Sequence, residues 1–210
     1  MIKAVIFDYG EVLTNSDNPV ESAQRRRALG RRLGLSEHEV WPYLFQGEPA
    51  RKWMTGQYSW DQYWNAVLPP RGVTDPQEIA SFHKSVWPRD SKINPEMRAI
   101  LKELNGRYKI GLLSNASWPE AELREILERN QILHYFDTVI SSSSEGVVKP
   151  DPAIFKVALQ RLSVQAEEAL FVDDLAKFTD SAAAMGFYTF TFTNASDFRL
   201  HLKNLQIIPS

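Results

Sequence analysis

Five short stretches of the chain are rich in aliphatic, β-branched and aromatic residues: Ala4-Val5-Ile6-Phe7, 109–113, 138–140, 169–172 and 188–192. Hydrophobicity that is continuous rather than alternating predicts strands buried on both faces, as in a parallel sheet covered by helices. Between the runs lie helical patterns with clear punctuation. Asn94-Pro95 supplies an N-cap and a first-turn proline ahead of Met97, Ile100, Leu101 and Leu104, and Gly106 stops the pattern. Ser117 and Pro119 open a helix carrying Leu123, Ile126 and Leu127. Asp151-Pro152 opens one with Ile154, Phe155, Ala158, Leu159 and Leu162 on one face, and a fourth runs from Ala176 to a stop at Gly186. Strands alternating with helices of this length predict a doubly wound α/β fold with a parallel sheet.

From residue 15 to residue 88 that rhythm breaks. The stretch holds no strand-like run but four helical ones, at 20–33, 36–44, 59–68 and 76–86, and five of the six tryptophans: Trp41, Trp53, Trp60, Trp64 and Trp87. It reads as a helical domain, 15–88, inserted after the first strand of an α/β core formed by 1–14 and 89–210. The tetrad Ser141–Ser144 with Glu145-Gly146 reads as a polar loop.

Composition narrows the function. The 210 residues are 43% hydrophobic and 24% charged, an ordinary globular balance that excludes wholesale disorder. A net charge of −2 gives no broad drive toward nucleic acid or an acidic membrane. With no cysteine, thiol nucleophiles and thiolate zinc sites are excluded, and the four histidines have no metal-ligand spacing. No apolar run approaches the ~20 residues that span a bilayer, and no signal-peptide core opens the chain. The expected address is the cytoplasm, and nucleic-acid or membrane partners are not expected.

Ligands of an open parallel sheet bind at the carboxyl ends of its strands. Four such ends carry polar groups here: Asp8, Ser114-Asn115, Lys149 in the loop beyond the third strand, and Asp173-Asp174. Carboxylates, a hydroxyl and an ammonium suit phosphoryl transfer, which needs a nucleophile, a holder for Mg²⁺ and donors to phosphate oxygens. An unprotonated carboxylate is a competent nucleophile at neutral pH, so no Ser/His pair is required.

These residues also carry a resemblance. Phe7-Asp8-Tyr9-Gly10-Glu11-Val12-Leu13-Thr14, Leu112-Leu113-Ser114-Asn115, Val148-Lys149-Pro150-Asp151-Pro152-Ala153-Ile154-Phe155 and Phe171-Val172-Asp173-Asp174 resemble the four ordered motifs of the haloacid dehalogenase (HAD) superfamily. The helical insert resembles its type 1 cap, and the likeness extends to the subgroup of sugar-phosphate phosphatases and the N-terminal phosphatase domain of soluble epoxide hydrolase. The resemblance implies a HAD-like Rossmannoid core and a Mg²⁺-dependent phosphomonoester hydrolase acting on a small phosphorylated metabolite, a sugar phosphate favoured. Asp8 would form an aspartyl-phosphate. Ser114 and the backbone N–H of Asn115 would bind the phosphoryl oxygens, and Lys149 would neutralise both Asp8 and phosphate. Asp8, Asp174 and the carbonyl of Gly10 would hold Mg²⁺, with Asp173 behind them holding water on the metal. A homodimer is left open.

Two positions depart from the family pattern. Gly10 stands where these phosphatases usually carry a second aspartate as general acid, followed here by Glu11. Phe178 stands where Asn or Asp is common. Dehalogenation or phosphomutase transfer on the same core, and a non-catalytic phosphate-binding relic, are the alternatives. The acidic pair tells against the first, since dehalogenases of the superfamily need no metal. Arg25-Arg26-Arg27 and Arg31-Arg32 read as a solvated helix face, with a phosphate-gathering rim as the sharper option. The tryptophans read chiefly as core of the insert, and Tyr9 either as a structural ring or as one facing the cleft.

Overall fold

The computed structural model describes residues 1–14, 19–86 and 92–209. The chain divides into two compact units, Met1–Asn15 with Lys92–Ser210 and Ser16–Ser91. The boundaries expected near 15 and 88, and Trp87, fall at or inside segments outside the described residues.

In chain order the elements begin with β1 (Ala4–Phe7). Five helices follow: α1 (Pro19–Leu33), α2 (Val40–Phe45), α3 (Glu48–Met54), α4 (Trp60–Val67) and α5 (Pro76–Val86). Next come α6 (Pro95–Leu104), β2 (Lys109–Ser114), α7 (Glu120–Arg129), β3 (Thr138–Ser141), α8 (Ser142–Glu145) and α9 (Pro152–Leu162). The chain closes with β4 (Ala169–Asp173), α10 (Ala176–Ala184), β5 (Tyr188–Thr191) and α11 (Ala195–Asn204).

All strand pairs are parallel, in the order β3-β2-β1-β4-β5. The doubly wound α/β sheet expected from the sequence is therefore present. Because side chains alternate across a strand, Val5, Phe7, Ile110, Leu112, Leu170 and Val172 face a core shared with α6, α7 and α11. Ala4, Ile6, Leu113, Ile140, Ala169 and Phe171 face the opposite core, with α9 and α10. Strands sandwiched in this way must be apolar at successive positions, which is the pattern that revealed them.

Several helix starts follow the expected chemistry. The Asn94 side chain accepts from the N–H groups of Glu96 (2.9 Å) and Met97 (3.4 Å), ahead of Pro95. Asp151 accepts from the N–H of Ala153 at 2.9 Å, ahead of Pro152. Gly106, with φ at 74°, takes the left-handed conformation just past α6.

The helix expected over 36–44 begins only at Val40, because Ser36 and Glu39 close a polar turn through their side chains at 2.6 Å. Helix α3 was not expected; Gly47, at φ 87°, separates it from α2 and makes the two turns too short to show a period. Helix α11 was likewise not expected, since Asn194 caps it with a bond to the N–H of Asp197 at 2.8 Å but its polar positions dilute the stripe of Ala195, Phe198 and Leu202. The serine tetrad is not a loop: Ser141 ends β3 and Ser142–Glu145 form one helical turn.

The helical unit has its own core. Trp53 stacks on Tyr63 with centroids 4.0 Å apart and meets Trp64 edge-on at 6.0 Å. Trp53, Tyr63 and Trp64 are buried, so these rings pack the unit itself.

Candidate functional site

The sheet changes winding direction at β1, which lies between β2 and β4, and such a switch point opens a crevice at the carboxyl ends of the strands. Phe7 pairs with Leu112 on one side and Val172 on the other. One step further, the N–H of Asp8 donates to the Val172 carbonyl at 2.9 Å, which sets Asp8 beside Asp173. Ser114 ends β2 at the same edge, 7% exposed. The position of each side chain is thus a consequence of strand register.

Lys149 reaches this edge from the loop between α8 and α9. Its Nζ donates to Asp8 Oδ1 at 2.8 Å and to Asp173 Oδ2 at 2.6 Å. Both Lys149 and Asp173 are buried, while Asp8 keeps a partly open carboxylate. Asp173 Oδ1 accepts from the N–H of Leu175 at 3.0 Å, so each of its oxygens is engaged by a protein donor. Asp173 therefore grips Lys149, and its carboxylate also belongs to the acidic cluster beside Asp8 and Asp174. Asp174, the next residue, is half-buried.

The electrostatics follow from burial. Desolvation pushes the Asp8 carboxyl up, the Lys149 ammonium pulls it back, and Asp173 pushes it up again. For Lys149 burial disfavours the charge, but Asp8 and Asp173 together outweigh it and hold the ammonium protonated. Asp174 is pushed up to about 7, first by burial and then by the negative charges of Asp8 and Asp173. Oxygens of Asp8, Asp173 and Asp174 all lie within 4.8 Å of one another. Three carboxylates sharing one ammonium leave the pocket short of positive charge, and an all-oxygen donor set suits a hard divalent cation such as Mg²⁺.

Two features escaped the sequence reading. The Asn115 side chain is more than an accessory to its own N–H: Oδ1 accepts from the N–H of Lys149 at 2.8 Å, and Nδ2 donates to the Lys149 carbonyl at 3.0 Å. This reciprocal pair fixes the lysine backbone across 34 residues of sequence, and no local spacing signals it. The serines of 141–144 then hold the loop that carries Asn115. Ser142 Oγ accepts from the N–H of Ala116 at 3.1 Å, Ser144 Oγ accepts from the N–H of Glu120 at 2.8 Å, and Ser141 Oγ donates to the Trp118 carbonyl.

Tyr9 is buried among Val12 and Leu13, and burial pushes its hydroxyl up to about 12; it is a core ring. Glu11 is exposed, at φ 59°, and its N–H donates to Thr14 Oγ1 at 3.2 Å. A Cβ on Gly10 would meet Asp8 Oδ2 at 4.0 Å, an ordinary contact. Within the helical unit Arg27 pairs with Glu37 at 2.9 Å, and Arg32 pairs with Glu78 at 3.0 Å while lying over the Phe82 ring. Those two arginines are engaged by acidic and aromatic partners of their own unit.

Residues 2–186 match the family model of haloacid dehalogenase-like hydrolases. The chain is 30% identical over 186 residues to a glyceraldehyde 3-phosphate phosphatase of Methanopyrus kandleri, covering 83% of this chain and 76% of that one. It is 29% identical over 210 residues to the drimenol cyclase of Aspergillus calidoustus, covering 98% of this chain but only 37% of that much longer protein. Among solved structures, a HAD family enzyme of Bacteroides thetaiotaomicron in complex with magnesium and inorganic phosphate superposes with a TM-score of 0.67 at 20% identity, covering 92% of this chain and 95% of that one. Among the described residues no helix is long and apolar enough to cross a membrane.

The raised Asp174 carboxyl yields a pH test. A folded-state pKa above the unfolded value means that folding takes up a proton between roughly pH 4 and 7, so stability falls as pH rises through that window and is flat above it. In excess chelator, Asp174→Asn should therefore unfold at a higher temperature than the wild type at pH 8, with the gap closing toward pH 5. A variant less stable than wild type at pH 8 would contradict this account of the pocket.

Proposed function

Because the chain belongs to the haloacid dehalogenase-like hydrolase family, we propose that it is a phosphomonoester hydrolase working through an aspartyl-phosphate on Asp8. The observation that carries the reading is the partly open Asp8 carboxylate held 2.8 Å from a buried ammonium, beside two further carboxylates. In the first step an Asp8 oxygen attacks phosphorus while the bond to the ester oxygen breaks. The departing oxygen keeps the electron pair and takes a proton from water. In the second step water attacks the same phosphorus, the aspartyl bond breaks, and Asp8 is regenerated as inorganic phosphate leaves.

Lys149 neutralises Asp8 against the incoming dianion, and Ser114 with the N–H of Asn115 donates to the phosphoryl oxygens. Asn115 keeps Lys149 in place through the backbone clamp. Asp8, Asp174 and the Gly10 carbonyl would hold Mg²⁺, which supplies positive charge to the transferring group. The acidic pair favours this reaction over carbon–halogen displacement, which develops no phosphoryl charge to neutralise. The relative from Methanopyrus kandleri supports a small phosphorylated metabolite as substrate, with a sugar phosphate first to be tried.

Phosphate release from a panel of phosphorylated metabolites, with Mg²⁺ and with excess chelator, tests the reading. Release should require Mg²⁺, and Asp8→Asn, which keeps the shape but not the nucleophile, should lower it by at least ~10⁴-fold without unfolding the protein. Undiminished release in chelator would favour a metal-free reaction. Tight binding of magnesium fluoride with no release from any substrate would favour the relic.

Gly10 generates a second prediction. A positioned general acid contributes about 10²–10⁴-fold, and glycine cannot donate a proton. Substrates with comparatively acidic leaving oxygens, such as anomeric sugar, aryl and acyl phosphates, should be hydrolysed faster than phosphates of primary alcohols. Single-turnover rates should fall steeply as leaving-group pKa rises. Gly10→Asp, whose Cβ finds room beside Asp8, should flatten that slope. A flat wild-type plot with chemistry rate-limiting would reveal another acid, and Glu11→Gln would identify it if the slope then returned.

A further inference from the structure

We propose that Phe178 is a positioning residue for Lys149, its ring face holding the ammonium against Asp8 and Asp173. The proposal rests on the reading of Lys149 given above, and assigns a use to the position that departs from the family pattern. Lys149 Nζ lies 5.1 Å from the centroid of Phe178 and 5.4 Å from that of Phe171, over the ring in each case. Phe178 is 8% exposed and Phe171 wholly buried. An ammonium removed from water needs its charge answered on every side. Two carboxylates take two of its N–H groups, and the negative faces of two rings line other directions.

The two rings are anchored differently. Phe171 sits in the middle of β4 and is locked edge-on against Phe155 at 5.2 Å, so it belongs to the core in any event. Phe178 sits in the first turn of α10, its N–H donating to the Leu175 carbonyl at 2.9 Å. It packs in the same core as Ala182 and Phe187 while closing over the lysine. A second cation, the exposed Lys177, lies 4.7 Å from the same ring. An amide or carboxylate at 178 would offer the ammonium a hydrogen bond or a third negative charge. The ring instead attracts the cation without adding a charge to a pocket that already holds three carboxylates. It also keeps water off the lysine.

The test separates attraction to the ring from simple packing. In a Lys177→Gln background, Phe178 is replaced by 4-fluoro-, 3,5-difluoro- and 3,4,5-trifluorophenylalanine, and by leucine. Fluorination preserves the shape, removes negative charge from the ring face and makes the ring more apolar. The proposal expects unfolding temperatures to fall stepwise along the series, with phosphate release from the best panel substrate falling in step. The leucine variant should lose about 10-fold in rate, within the range that a desolvated cation–π contact supports. Packing alone predicts the opposite sign, unfolding temperatures level or rising with each fluorine, and that result would overturn the proposal. Absence of phosphate release from the parent carrying native Phe178 would count against the phosphatase reading, while the unfolding series would still decide the role of Phe178.

Discussion

One buried cation organises the carboxyl end of this sheet. Lys149 arrives from a loop, yet it is fixed by an amide clamp at its backbone, two carboxylates at its tip and two aromatic rings around it. Ion pairs of this kind are poor devices for stability, because desolvating both partners offsets most of the attraction, and losing one partner costs about 3–5 kcal/mol. A buried lysine held by so many neighbours is better understood as a prepared charge. Its ammonium stands 2.8 Å from the partly open carboxylate of Asp8, and Asp8 and Asp173 keep it protonated despite its burial.

The clamp makes distant segments interdependent. Strand register sets Asp8 beside Asp173, the turn after β2 presents Asn115, and serines at the end of β3 hold that turn from behind. Each is a backbone or short-side-chain contact with little freedom, which suits a site whose parts must agree to within a fraction of an ångström. The pocket's surplus of negative charge suits an added cation, and its cluster of carboxylate oxygens suits a hard divalent one.

The sheet was legible because it is buried on both sides. Sandwiched strands such as 4–7 and 169–172 have to be apolar throughout, and the residues just beyond them have to be polar if the edge binds anything. Asp8, Ser114, Asp173 and Asp174 are each identifiable on that basis, whereas Lys149, in the loop beyond α8, stands out through the Lys149-Pro150-Asp151-Pro152 motif. What escaped detection depends on contacts between remote parts of the chain. Helices α3 and α11 are short or weakly amphipathic, so their period is lost among polar residues. The Asn115 clamp spans 34 residues, and the serines of 141–144 have a composition that ordinarily marks a loop. Phe178 is visible in the sequence only as a departure from the family pattern; the ring's place over the Lys149 ammonium depends on the fold.

The claim on which everything else rests is that Asp8 becomes covalently phosphorylated during turnover. Rapid acid quenching of the enzyme with excess substrate, followed by peptide mass spectrometry, tests it most directly, since an acyl phosphate survives acid. The account predicts a phosphoryl adduct on the N-terminal peptide, located at Asp8, appearing and decaying at rates compatible with turnover. An adduct on any other residue, or rapid turnover with no phosphoryl-enzyme when the hydrolytic half-reaction is rate-limiting, would contradict it.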